Sequence, residues 1–365
     1  MATRQISQME PWFGTEEAES CYEYMKSGYF ITEFHKTKEF EQMLCDYTGA
    51  KHCIVTNNGT TTLYMIMLAL GISQGDEVIV PNYTMIASPN SVMASGAKPV
   101  YCDIYEDSLT MDFEQMKTKI TPKTKAIMFV PLNNRSKDLD KFIDFCKANN
   151  LYLIMDTAQS IGSFKNGKHL SNYGDISSIS FSPPKLISTG QGGAILTNSD
   201  ELALKLRKIK DFGRERGGVD LHDSFGLNFK FTDLQACVGI EQMKKLEWRV
   251  QRQKEIWKLY YERLSKHPKI KMLEGDDVNW ITWFIDIYVE NPDELQKFLK
   301  DNNIGSRRVY PPCNSQKIYA EHNKLDFPVT KYWTDRGLWL PSSVKLTDDE
   351  VNFVCDKIFE FYKSI

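Results

Sequence analysis

The sequence predicts an α/β protein, in which a mostly parallel seven-stranded sheet is covered by helices and followed by a smaller C-terminal α/β unit. Three observations carry this prediction. Seven short apolar runs (HCIVT, EVIVP, KPVYCDI, KAIMFV, LYLIMD, ISSISF and GGAILTN) recur through the first two thirds of the chain; helix-like stretches lie between them; and the pattern changes after Asn198. Runs rich in Val and Ile, bounded by turn residues, suit strands buried on both faces. Their alternation with helical stretches is what layers helices on a parallel sheet.

The first fifteen or so residues show no clear period and predict an arm over 1–15. The first apolar run passes through Asn57, Asn58, Gly59 and Thr60 into the helical TTLYMIMLALG, and DLDKFIDFCKANN predicts a helix before the fifth run. Beyond Asn198, DELALKLRKIKDF is helical, and DLQACVGIEQMKKLEWRVQRQKEIWKLYYERLSKH reads as one long helix or two consecutive ones. A β–α–β-like tail follows, with WFIDIYV as strand, DELQKFLKDNNI as helix and TDDEVNFVCDKIFEFYKSI as closing helix. With 365 residues exceeding what one compact core usually holds, the division expected is a large domain over 16–245 and a small one over 246–365.

A composition of 42% hydrophobic and 25% charged residues is that of an ordinary globular protein. The net charge of −3 leaves no basic field to hold nucleic acid or anionic membrane. MATRQISQMEPWFG lacks the apolar core of a signal peptide, and no stretch reaches the ~20 apolar residues of a membrane helix, so a cytoplasmic location is expected. The 8 cysteines form no C-x-x-C pair and have no histidines at metal-ligand spacing. They read as reduced thiols, with no metal site expected.

Three segments carry chemistry. Lys185 lies in SFSPPKLISTGQGGAI, after a strand and two prolines and before a Gly-rich turn. A lysine amine is nucleophilic only when unprotonated and partly desolvated. Paired prolines restrain the backbone before it, and Gly190, Gly192 and Gly193 leave room for a tight turn beside a planar ligand. Most lysines are nonetheless solvated surface residues. Asp156 ends the strand run in LYLIMDTAQSIG, where ligands of open α/β sheets gather. It suits a partner for a pyridinium nitrogen, or simply a helix N-cap. Finally, Asn57, Asn58, Gly59 and Thr60 stand at a strand–helix junction, where free N–H groups suit one phosphate. Plain helix capping by Thr60 is the alternative, and no Walker loop or clear dinucleotide fingerprint exists.

In this order, a phosphate cradle, a carboxylate and a lysine are what an enzyme using pyridoxal 5'-phosphate needs. The chain resembles the DegT/DnrJ/EryC1/StrS sugar aminotransferases, fold-type-I pyridoxal-phosphate enzymes, from GYFITEFHKTKEFE through GTTTL, PNYTMIAS, DTAQSIG, SFSPPK and GQGGAI to GLNFKFTDLQACVGIEQ and WLPSS. The likeness is greatest to the branch that aminates C4 of a nucleotide-linked 4-keto-6-deoxyhexose. The resemblance implies that Lys185 is the catalytic lysine joined to the cofactor and that Asp156 pairs with its ring nitrogen. It also implies Gln159 against the ring near the phenolic oxygen, and Gly59, Thr60 and Ser180 around the phosphate. Asn228 matches an asparagine that reaches the phosphate from the partner subunit, which implies a homodimer with shared sites. Met85 stands where relatives place an aromatic residue over the ring, and a thioether also packs on a π-face.

Other departures are Pro131, Leu132, Asn133 and Asn134 in place of a His-Leu-Tyr-Gly run, Lys230 in place of Arg, and Asn314 in place of His. The implied reaction uses L-glutamate as donor and a nucleotide-linked keto sugar as acceptor. Lys230, Arg307 and Tyr310 are candidate substrate contacts, with Arg308, Arg214 and Arg216 as further cations for a carboxylate or diphosphate. Tyr83 and Trp283 are candidates for stacking on a base or sugar. Amination at C3, a pyridoxal-phosphate dehydratase or desulfurase-like lyase, and a non-catalytic cofactor or sugar-nucleotide sensor are the alternatives. Lysine rather than histidine at 185 disfavours the dehydratase.

Overall fold

The computed structural model describes residues 5–277, 279–322 and 325–364. Its strands are β1 His52–Thr56, β2 Glu77–Pro81, β3 Lys98–Cys102, β4 Thr124–Phe129, β5 Tyr152–Asp156, β6 Phe164–Lys165, β7 Lys168–His169, β8 Ile176–Ser180, β9 Gly193–Thr197, β10 Asp286–Tyr288, β11 Arg307–Arg308 and β12 Gly337–Trp339. Each of the seven apolar runs forms one strand of a seven-stranded sheet of order β1-β9-β8-β5-β4-β2-β3. Strand β9 is antiparallel to β1 and β8, and the other pairs are parallel. Alternate residues enter opposite cores. Ile54, Val78, Val80, Met128 and Ile154 face one side, and Val55, Ile79, Ile127 and Met155 the other. Both faces are buried, which is why these strands read as continuous rather than alternating apolar runs.

The helices are α1 Thr15–Lys26, α2 His35–Thr48, α3 Gly59–Ala69, α4 Ala87–Ala94, α5 Phe113–Thr118, α6 Leu139–Ala148, α7 Asp200–Lys210, α8 Asp233–Lys244, α9 Leu246–Leu264, α10 Pro292–Asp301, α11 Pro328–Arg336 and α12 Asp348–Ser364. The long helical stretch is thus two helices, which meet at Lys245. The lysine's ammonium is held by Glu16 and Glu17 at the start of α1, at 3.0 and 2.8 Å.

The three-stranded antiparallel sheet β10-β12-β11 belongs to a second core, which collects Ile256 and Tyr260 of α9, Leu295 and Leu299 of α10, and Val354 and Ile358 of α12. Ile6 of the N-terminal arm joins this core and bridges Ile304, so the arm is anchored at the far end of the chain. Among the described residues, no helix is long and apolar enough to cross a membrane.

Candidate active site

A cavity of about 350 Å³ opens beyond the carboxyl ends of β4, β5 and β8, and segments separated widely in sequence line it. Gly59, Thr60, Met85, Asp156, Gln159, Ser180, Lys185, Arg307 and Tyr310 all face it. Asn228 and Lys230 do not.

The anion end is built where β1 runs into α3. Asn58 caps the helix, its side-chain oxygen accepting from the Thr61 N–H at 2.8 Å, so capping falls to Asn58 and not to Thr60. The first N–H groups of an α-helix have no intrahelical acceptor, and here they border the cavity beside the Thr60 and Ser180 side chains. Gly59 is required by a close approach, since a Cβ there would lie 2.7 Å from that of Ser180. Gly193 is required in the same way, since its Cβ would fall 2.8 Å from the Asn58 carbonyl carbon. That glycine serves the packing of β9 against the cradle rather than a ligand.

Asp156 is buried at the end of β5. Ser88 donates to one carboxylate oxygen at 2.7 Å and the Ala158 N–H to the other at 3.3 Å. No helix follows, so the residue is not an N-cap. Burial raises its pKa above the usual carboxylate value, although the two hydrogen bonds and Lys185 pull the other way. Lys185 sits on the loop between β8 and β9, which closes through Lys185 N–H to Ser182 O at 3.1 Å and Thr189 N–H to Phe181 O at 3.1 Å. Its Nζ lies 3.8 Å from the centroid of the Trp283 ring. Desolvation lowers the lysine pKa to about 7, against the opposing charge of Asp156. A primary amine in that range is substantially free at neutral pH, as nucleophilic chemistry needs.

Gln159 is nearly buried, and its side-chain oxygen accepts from the Asn133 N–H at 2.7 Å. Met85 is 43% exposed at the cavity rim, and its sulfur accepts from the Ala87 N–H. Arg307 spans the faces of Tyr310 and Trp339, at 5.9 and 5.5 Å from the ring centroids. Three other candidates are committed elsewhere. Arg308 binds Asp293 and three backbone carbonyls, Arg214 pairs with Asp211 and Asp220, and Tyr83 is buried in the core. Asn228 is exposed on the segment after α7, where it bridges Asp211, and Lys230 pairs with Asp211 at 2.6 Å.

Sequence reasoning missed Ser88, Asn58 as the cap, the role of Asn133, and Ser182 and Gln191, which also line the cavity. Ser88 ends PNYTMIAS and was within reach, because a buried carboxylate needs a donor. Nothing local marks Asn133, whose side-chain partners lie in the C-terminal third of the chain.

A helix start beside hydroxyls, a buried carboxylate and a depressed-pKa amine around one space fit a group carrying a phosphate, a ring nitrogen and an aldehyde. Comparisons with known proteins agree. The profile of the DegT/DnrJ/EryC1/StrS aminotransferase family matches residues 12–359. The chain is 33% identical to GDP-perosamine synthase of Vibrio cholerae, covering 98% of this chain and 99% of that protein. It is also 33% identical to the dTDP-3-amino-3,6-dideoxy-alpha-D-galactopyranose transaminase of Aneurinibacillus thermoaerophilus, over 97% of each. Among solved structures, a Brucella abortus aminotransferase of the same description superposes with a TM-score of 0.88 at 28% identity, covering 95% of each chain. A Streptococcus pneumoniae protein described as a sugar aminotransferase, in its PLP form, superposes at 0.92 with 25% identity over 99% of each.

Proposed function

The chain belongs to the DegT/DnrJ/EryC1/StrS aminotransferase family, and we propose that it transfers the amino group of L-glutamate to C4 of a nucleotide-linked 4-keto-6-deoxyhexose. It is a sugar aminotransferase of the pyridoxal-phosphate-dependent type. The observation that carries the reading is the convergence of Lys185, Asp156 and Gln159 with the Asn58–Thr60 helix start on one cavity.

Bound pyridoxal phosphate supplies an aldehyde that takes up an amino group and a ring that accepts the electron pair left by the donor's Cα proton. Lys185 Nζ would hold the cofactor through its aldehyde carbon and, once the donor's amine has displaced it, would be the free amine that takes that Cα proton. Asp156, held by the Ser88 hydroxyl, would supply the negative charge that keeps the ring nitrogen protonated. Gly59, Thr60 and Ser180 would hold the phosphate, and Gln159 and Met85 would lie against the ring. Arg307 and Tyr310 face the remaining space and suit the substrate's anionic handle.

Each site is completed by a second copy of the chain, which contributes Asn228. An exposed apolar surface supports this: Phe30 is 73% exposed and Phe225 64%, with Tyr22, Met25, Tyr29, Leu221 and Leu227 also exposed. These side chains fall on two segments, 22–30 and 221–227, and are what an interface between two copies would cover.

Amination at C3 is the second reading, favoured by the equal identity to the 3-amino transaminase. The test offers 4-keto and 3-keto sugar nucleotides on GDP, UDP and dTDP carriers, with glutamate, and follows amination by mass spectrometry. Amination of the 4-keto sugars is expected. A clear 3-keto preference overturns the C4 assignment, and turnover of amino-acid and keto-acid pairs alone overturns the sugar assignment.

A further inference from the structure

Asn133 is buried and adopts the left-handed conformation, φ 52 and ψ 32. Asparagine tolerates this region better than other residues with a Cβ. Its side-chain oxygen accepts from three donors on one distant segment: the Thr282 hydroxyl at 2.9 Å, the Trp283 N–H at 2.7 Å and the Phe284 N–H at 3.0 Å. Its side-chain NH2 donates to the Phe284 carbonyl at 2.8 Å, and its own carbonyl accepts from the Trp280 indole N–H at 2.9 Å. The Trp283 and Phe284 end of this contact borders the cavity, and so does Gln159, which Asn133 meets through its N–H.

We propose that Asn133 is a positioning residue of the cofactor site, which directs the Gln159 amide into the cavity and fixes the Trp283 ring over Lys185. The first arm follows from donor chemistry. A backbone N–H can only donate, so the Gln159 oxygen must face Asn133 and its NH2 is the end left for the cavity. That leaves a hydrogen-bond donor where a cofactor oxygen would lie. The second arm runs through Trp283, whose backbone is held by Asn133. Its indole N–H donates to the Pro184 carbonyl at 3.0 Å, and its ring stacks on Phe284 at 3.8 Å. The same ring covers the Lys185 amine; its face attracts the ammonium, but desolvation is the largest influence on this lysine, so loss of cover outweighs loss of that attraction. Asn133 thus ties the lysine loop and the glutamine to one point.

The proposal rests on the cavity being a pyridoxal-phosphate site, and the experiment separates the two. Asn133→Gly keeps the left-handed backbone and the N–H to Gln159 while removing every side-chain contact. In cofactor-free protein, labelling of Lys185 by a small aldehyde with borohydride trapping, read by mass spectrometry, reports the amine's titration. Equilibrium uptake of pyridoxal phosphate reports the site. Loosening Trp283 admits water, so the midpoint of labelling should rise by about one pH unit and pyridoxal-phosphate affinity should fall about tenfold.

Trp283→Phe keeps a ring but loses the donor to Pro184, and should raise the midpoint in the same direction. If Asn133→Gly does not fold, that variant decides: an unchanged midpoint overturns the proposal. Asn133→Gly protein with lowered thermal stability but wild-type midpoint and affinity also overturns it, since the residue would then be only structural. Wild-type protein that takes up no pyridoxal phosphate overturns the reading of the cavity itself.

Discussion

Lys185 and Asp156 have opposite problems. Burial makes each charged form costly, so the lysine pKa moves down to about 7 and the carboxylate's moves up, while each charge partly offsets the cost of the other. For a lysine with a lowered pKa, the free amine appears as pH rises through that value. Capture of an aldehyde by Lys185 in cofactor-free protein should therefore increase through about pH 7 and level off above it. Replacing Asp156 by Asn removes the charge that favours the ammonium, so the midpoint should move to lower pH, and Lys185→Ala should lose the label carried by that peptide while the other lysines keep theirs. Mass-spectrometric labelling across pH checks this, and an upward shift in the Asp156→Asn protein would contradict the charge coupling. Both residues were legible in sequence, because strand ends and Gly/Pro punctuation mark them locally. Their electrostatic coupling was not, since it depends on β5 being the neighbour of β8.

At the scale of elements, helix starts show the same division. Helix α2 begins after Phe34 and α11 after Phe327, and neither cap residue has a side chain that can accept from the backbone. Distant carboxylates serve instead. Asp233 accepts from the N–H groups of Phe34, Lys36 and Thr37 and from the Thr37 and Tyr24 hydroxyls. Asp103 accepts from the N–H groups of Val329 and Thr330. A capping rule that looks for Ser, Thr, Asp or Asn next to the helix cannot find either one.

For Asp233, burial pushes the pKa up, but these donors outweigh it and the net shift is downward. A carboxylate depressed on folding contributes stability above its unfolded pKa, and that contribution is lost as pH falls through the folded pKa. Asp233→Ala should destabilise the chain by roughly 2–4 kcal/mol, because several buried donors lose their acceptor. Urea unfolding at neutral pH measures this, and the deficit should shrink in acid. A change within about 0.5 kcal/mol, the usual effect of a surface substitution, would show that the cap is dispensable.

For the whole molecule, the exposed apolar surface and the outward Asn228 point the same way. A dimer is the expected solution state at micromolar concentration, with Phe30 and Phe225 in its interface. Phe225→Asp together with Phe30→Asp should give a monomer by sedimentation and remove most transaminase turnover, because Asn228 would no longer reach the neighbouring cavity. A fully active monomer would refute shared sites.

The sequence by itself determined the sheet, its burial on both faces, the family and most of the cavity lining. Those features are written in short-range patterns: apolar period, turn residues and motif order. Only the tertiary structure decided what joins the two cores. Arg135 is fully buried and binds Asp286 through two hydrogen bonds at 2.9 and 3.0 Å, while Asn133 holds Thr282, Trp283 and Phe284. In the sequence, residues 131–134 stand out only as a departure from the relatives' pattern. Hydrogen bonds between residues so far apart leave no local period, because their spacing is set by where the chain returns after folding.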